Sequence, residues 1–357
     1  MADTEIDWTD KVWNVVRGCS RVSPGCDHCY AMGQAHRFSG PGGPYEGLTT
    51  IRRGKVDWSG YARFVPEKLS DPFRWRKTQR VFVNSMSDLF HESLSFDDIA
   101  AVFGVMAACP QHTFQVLTKR PQRALEFFSW VEDSARADDG DICRRFVLSH
   151  AYRDAVSDGS VEDSTRQWDF IEDRLQWVAY DAGRNDEIPW PLPNVHLGVS
   201  VENQKTADER IPLLLQCPAA VRWVSAEPLL GTVDLSHWLN LPEPELAAVD
   251  PLAACLLSEA FEEGRASGPR SLDWVVVGGE SGNSARPCNV EWIRSIVSQC
   301  KDAGVPVFVK QLGAVNRRNM PLGLTNPLYL FDKKGSDPSE WPVDLRVREF
   351  PELRGEL

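Results

Sequence analysis

Short runs of Val, Ile, Leu and Phe recur along the chain, each breaking off into polar residues, and most lead into a stretch with helical spacing. The clearest are Arg80–Asp88, His112–Pro121, Val195–Asn203, Val221–Pro228, Asp273–Ser281 and Pro306–Gln311. Helical stretches follow at Phe96–Ala108, from about Gln122, at Ala207–Gln216 and at Val290–Ala303. A shorter run, Val12–Val16, precedes them and brings the expected strands to about seven. Near-continuous apolar strands alternating with helices specify a parallel sheet covered by helices, because each strand must be buried on both faces. The pattern predicts an α/β fold of (β/α)-barrel type.

In such folds the groups that do chemistry sit where strands end. Here those positions carry Asn84, Ser85, Ser87 and Asp88; Thr118 and Lys119; Ser200, Glu202 and Asn203; Ser225 and Glu227; Glu280; and Lys310 with Gln311. Any one of these is as readily a helix cap or turn residue. Six consecutive strand ends with charged or amide side chains point instead to a shared site. Two stretches break the rhythm, 132–187 and 241–271, and both read as insertions into a single domain spanning 1–357, since alternation resumes after each. The tail, 316–357, reads as a cap with a short hairpin near Phe331.

Cys19, Cys26 and Cys29 fall within eleven residues of a Gly-, Ser- and Pro-rich run. Structural zinc normally takes four protein ligands, whereas a cluster held by three thiolates leaves one iron open to a further ligand. Zinc completed by His28 or His36 is the competing reading. A redox pair is less favoured, because a third thiol lies upstream and no buried βαβ context follows. The other six cysteines are scattered among apolar residues and read as ordinary buried thiols. Nine is an odd number in a chain that starts without a signal-like segment, which argues against a disulfide framework.

With 357 residues and no apolar run of membrane-spanning length, the expectation is a cytoplasmic protein with no membrane partner. A formal charge of -12 disfavours tight non-specific binding to a phosphate backbone, but leaves room for nucleic acid held by a local basic patch.

The runs Gly18–Tyr30, Phe82–His91, Gln115–Pro121, Leu197–Asn203 and Val277–Gly282, with Val309–Gln311 and Trp341–Pro351, resemble the phage Gp37/Gp68-like, three-cysteine-motif family, DUF5131. That family looks like a branch of the radical S-adenosylmethionine (SAM) enzymes. The resemblance implies a partial TIM-type barrel and a [4Fe–4S] cluster on Cys19, Cys26 and Cys29. The superfamily usually spaces its first two cysteines by three residues; here six intervene. It further implies SAM held by Ser85, Ser87, Asp88, Ser200, Glu202 and Asn203, with Lys119, Glu227, Glu280 and Lys310 facing substrate. The Gly278-Gly279-Glu280 run lies on a later strand than the superfamily's SAM-binding Gly-Gly-Glu, so it is not given that role. The implied activity is radical isomerisation of an amino-acid-type substituent on a modified thymine in phage DNA or its nucleoside, with a flavodoxin- or ferredoxin-type electron donor, in the host cytoplasm. Radical chemistry on a peptide or small metabolite, and a non-catalytic metal-containing nucleic-acid binder, are the alternatives.

Overall fold

Each apolar run becomes a strand, a little shorter than the run itself. The computed structural model describes residues 4, 6–136, 143–157, 164–181, 183, 187–239, 271–282, 284–314 and 330–351. Its first elements are β1 (Lys11–Trp13), β2 (Val16–Gly18), α1 (Tyr30–Arg37), β3 (Thr49–Arg52), β4 (Lys55–Trp58), β5 (Ala62–Phe64) and β6 (Arg80–Val83). Then come α2 (Phe96–Ala107), β7 (Thr113–Thr118), α3 (Pro121–Ala135), α4 (Arg144–Ser157), α5 (Ser164–Asp181), β8 (Val195–Ser200) and α6 (Gln204–Gln216). β9 (Val221–Ala226), α7 (Ser236–Leu239), β10 (Trp274–Gly278), α8 (Val290–Ala303) and β11 (Val307–Gln311) follow. The fold is mixed α/β, with a seven-stranded parallel sheet in the order β1-β6-β7-β8-β9-β10-β11 flanked by helices. The chain divides into two compact units: Met1–Arg21, Ala31–Leu197 and Cys217–Ala220, then Val22–Tyr30, Gly198–Gln216 and Val221–Leu357.

In the first unit, β1 pairs with β6 (Val12 opposite Phe82) and β6 with β7 (Phe82 opposite Gln115). The expected strand Val12–Val16 is split, and the cause is Asn84. Its Oδ1 accepts from both Val15 N and Val16 N at 3.0 Å, which takes those amides from the sheet and turns the chain into β2. Asn84 sits at φ 62, a left-handed conformation that Asn tolerates better than most residues, and it ends β6 four residues short of Asp88. Helix α2 opens on a capping box between Ser95 and Asp98 and is buried from Ile99 to Ala107. Within the stretch 132–187, α4 and α5 pack against α2. A Cβ on Gly104 would lie 2.9 Å from Leu148 O, so α4 seats against α2 only because Gly104 has none.

Two small ribbons were not foreseen. β2 pairs antiparallel with β5, and β3 with β4, Arg52 facing Lys55. The β3–β4 turn is Arg53-Gly54 with φ 49 and 75. Two positive φ values match the twist of a tight hairpin. Glycine adopts them freely; a left-handed arginine costs roughly 1–2 kcal/mol.

In the second unit, Trp223 faces Trp274 between β9 and β10, and Val276 faces Phe308 between β10 and β11. Helix α6 starts three residues before the expected Ala207, because Asn203 Oδ1 accepts from Thr206 N at 3.1 Å and caps it. Helix α8 runs over Val290–Ala303 as expected, capped by Asn289 and ended by Gly304 at φ 67. The expected hairpin near Phe331 is absent from the described residues. The Asp332 carboxylate accepts from Ser336 Oγ at 2.9 Å and folds that segment into a turn. Trp341 is buried and donates to Gly335 O at 3.0 Å. The stretch 241–271 lies, but for its last residue, outside the described residues. Among the described residues no helix is long and apolar enough to cross a membrane.

Every residue of β8 and β9 is buried. Burial pushes His196 on β8 down to about 4, from 6.5. The unfolded chain therefore binds a proton that the folded chain excludes, so stability is full above about pH 6.5 and falls as pH drops toward 4. His196→Gln should remove up to about 3 kcal/mol of that acid sensitivity. Urea unfolding at pH 7 and pH 4.5 checks this; an unchanged pH slope would assign the loss to other groups.

Candidate functional site

Asp88 is buried at the base of a network in the first unit. Its Oδ1 accepts from Thr118 Oγ1 at 2.8 Å and Phe90 N at 3.0 Å, and its Oδ2 from Lys119 N and Arg120, each at 3.0 Å. Arg120 then reaches the cysteine run. It donates to Ser20 Oγ at 2.7 Å, to Ser20 O at 3.3 Å and toward Cys19 Sγ at 4.0 Å, and binds Glu92 at 2.9 Å. Burial alone would lower the Arg120 pKa, but the charges of Asp88, Cys19 and Glu92 outweigh it and the net shift is upward. His91 is fully buried. Its Nδ1 accepts from Ser93 N at 3.1 Å, so in the neutral ring Nε2 carries the proton and donates to Ser20 Oγ at 3.0 Å. Burial, then the charge of Arg120, holds His91 below its ordinary pKa, which favours that neutral form. Ser20 in turn donates to Glu92 Oε1 at 3.0 Å. Ser87 Oγ donates to Val16 O at 2.8 Å and Ser85 Oγ to Asn14 Oδ1 at 3.3 Å, so both hold the strands that lead into the cysteines.

The second unit holds the rest of the run by the same means. Glu202 is fully buried, paired with Arg210 at 3.2 Å, and accepts from Ser23 Oγ at 2.8 Å. A Cβ on Gly25 would fall 2.4 Å from Glu202 Oε1, so only glycine lets the loop settle on this carboxylate. Arg210 also donates to Ser200 O at 2.7 Å. Glu280 takes Arg286 NH2 at 2.7 Å and His28 Nδ1 at 3.0 Å, and Arg286 donates onward to Pro24 O at 2.9 Å. Burial would raise the Glu280 pKa, but the Arg286 and His28 hydrogen bonds bring it below the ordinary value. Lys310 and Glu227 pair at 3.2 Å, both partly buried.

Three buried carboxylates thus meet three arginines, and each pair grips the cysteine run at Ser20, Ser23 or Pro24. Of the strand-end residues, Asp88 and the Lys119 amide stand in the network of the first unit, and Glu202 and Glu280 in those of the second. Asn203 is engaged as the cap of α6, and Ser200 through its carbonyl. Arg210 and Arg286 carried no sequence signal, since each lies on a helix or loop rather than at a strand end.

A family described as a protein of unknown function, DUF5131, matches residues 3–339. The chain belongs to the DUF5131 family. No curated protein and no solved structure matches it.

Among the described residues of this DUF5131 protein, no three His, Cys, Asp or Glu side chains stand together as a ready metal-binding group. The donor chemistry fits a soft metal centre all the same. Cys19, Cys26 and Cys29 are part-exposed, whereas burial pushes Cys109 and Cys300 up to about 12 and keeps them protonated. Of the scattered thiols, Cys143 and Cys288 are half-buried rather than buried, and Cys255 lies outside the described residues. At the end of β6, the buried Nδ2 of Asn84 has no hydrogen-bond partner among the described residues, a donor left over for a polar ligand.

Removing one side of a buried ion pair leaves a charge unmatched and typically costs about 3–5 kcal/mol. Arg210→Met in the DUF5131 protein should lower urea stability by that much. Ser23→Ala, which loses one hydrogen bond to a charged group, should cost about 1.5–3 kcal/mol. A negligible loss in both variants would mean that Glu202 does not anchor the loop.

Proposed function

We propose that the protein holds a [4Fe–4S] cluster on Cys19, Cys26 and Cys29 and uses SAM to start radical isomerisation of an amino-acid-type substituent on a modified thymine in phage DNA. The observation that supports this reading most is the fixation of the cysteine run. In the first unit the Asp88–Arg120 pair holds Ser20 beside Cys19, and in the second the Glu202–Arg210 and Glu280–Arg286 pairs hold Ser23 and Pro24 ahead of Cys26 and Cys29. A cluster with an open iron needs three thiolates on fixed backbone, and each part of the run is fixed within its own unit.

When bound, the cluster and SAM supply a 5′-deoxyadenosyl radical for hydrogen abstraction. The protein's own groups do the positioning. Arg120 donates toward the Cys19 sulfur, and such bonds tune a thiolate centre. Asn84 Nδ2, with Ser85 and Ser87 beside it, is the donor with spare capacity for a polar end of SAM. Asp88 and Glu202 act through Arg120 and Arg210, because their oxygens are already taken. Ser200 and Asn203 flank Glu202 and complete the second SAM-facing edge. Lys119 and Lys310 are the cations that steady a phosphate or carboxylate. Glu227, paired with Lys310, faces substrate, and Glu280 fixes His28 next to Cys29.

Protein purified without oxygen should contain about four irons and four sulfides per chain. Cys19→Ala, Cys26→Ala and Cys29→Ala should each abolish the cluster, and Cys300→Ala should leave it intact. With a flavodoxin-type reductant the native protein should release 5′-deoxyadenosine from SAM. Nucleoside mass spectrometry on modified phage DNA should show an isomer formed with no change in mass. One zinc per chain without iron rejects the radical reading in favour of a metal-containing nucleic-acid binder. Turnover of a peptide or free metabolite, with modified DNA ignored, rejects the DNA substrate alone.

A further inference from the structure

The ribbon β3–β4 ends in Arg52-Arg53-Gly54-Lys55, all exposed. Three features of this tip work against folding. Arg53 sits at φ 49, where Asn or Gly fits with less strain. Arg52 and Lys55 face each other directly across the strands, and like charges so placed repel. Ile51 is 62% exposed on the same ribbon. Costs that the fold does not need point to a use outside the fold. The surroundings agree: residues 49–80 hold nine Lys or Arg against three Asp or Glu, in a chain whose net charge is -12.

We propose that this ribbon is a docking surface for the phosphate backbone of duplex DNA. Two-stranded ribbons fit the major groove, and cations at a tight tip can meet phosphates on its edges. Arg52, Arg53 and Lys55 supply those contacts, and Tyr61, 54% exposed three residues beyond β4, supplies a face for a base extruded from the stack. The base of the ribbon is tied to the cysteine run. Asp57 on β4 accepts from Arg21 Nε at 2.7 Å, and Arg21 lies between Cys19 and Cys26. His36 on α1 hydrogen-bonds Thr49 at the start of β3, at 3.0 Å. DNA seated on the tip is thereby registered to the start of the cysteine run, at Cys19 to Arg21. The inference rests on the DNA half of the proposed function and is independent of the cluster.

The test is fluorescence anisotropy of the full chain with a labelled 20-base-pair duplex across a salt series. Arg52→Ala, Arg53→Asn and Lys55→Ala combined should weaken binding on the order of a hundredfold at 0.1 M salt. The slope of log K against log salt should fall by about 2.7, three phosphate contacts at about 0.9 each. Arg53→Asn alone suits the turn, so it should keep or raise the melting temperature while lowering the slope by about 0.9. Unchanged affinity and slope in the folded triple variant overturn the proposal. So does wild-type protein that binds anionic vesicles more tightly than the duplex. Iron content and SAM cleavage should be unaltered in the triple variant. DNA binding lost there, in a protein that proves to hold no cluster, upholds the dock and rejects only the catalytic reading.

Discussion

A buried carboxylate is tolerated only when a cation and hydrogen-bond donors replace the water it has lost. Asp88, Glu202 and Glu280 are all buried, and Arg120, Arg210 and Arg286 meet them. These pairs are poor devices for stability as such, since desolvation offsets most of their attraction. Their value lies in direction. Arg120 and Arg286 have donors left over after meeting a carboxylate, and Glu202 has an acceptor, and these surplus groups hold Ser20, Pro24 and Ser23. The cysteine run is short of hydrophobic anchors, so charged groups at the strand ends fix it instead.

This arrangement separates the cysteines by environment. Cys109, Cys217 and Cys300 are buried, and burial disfavours the ionised form of Cys109 and Cys300. In the run the three thiols are part-exposed, and Cys19 lies within reach of the Arg120 guanidinium. Ser20 shows how tightly the run is specified. Its hydroxyl receives hydrogen bonds from His91 and Arg120 and gives its own proton to Glu92, which exhausts its capacity.

Charge is distributed as unevenly as reactivity. The chain is acidic overall, yet the ribbon and the segment after it are basic, and the ribbon is tied to Arg21 through Asp57. The cationic ribbon and the start of the run, Cys19 to Arg21, belong to the same unit and are linked by the charged hydrogen bond between Arg21 and Asp57.

The alternation of strands and helices was legible in the sequence because burial on both faces forces apolar runs at each parallel strand. The positions of Lys119, Glu202, Glu227, Glu280 and Lys310 at or near strand ends followed from the same pattern, whereas Asp88 lies beyond the early end of β6, and the three cysteines were legible from their spacing alone. The sequence by itself determined which residues arrive at the ends of strands, since period and polarity are local properties. It could not determine what those residues do there. Arg210 lies eight residues past Glu202 on a helix and Arg286 six past Glu280 in a loop, and neither spacing announces a salt bridge. The split of the first strand depended on Asn84, almost seventy residues away in sequence. The β3–β4 ribbon was missed because its strands are four residues long and its turn is built on an arginine. Tertiary structure decided these points for one physical reason. A hydrogen bond or ion pair between distant residues depends on where the backbone carries them, and only the folded sheet brings them within 3 Å of one another.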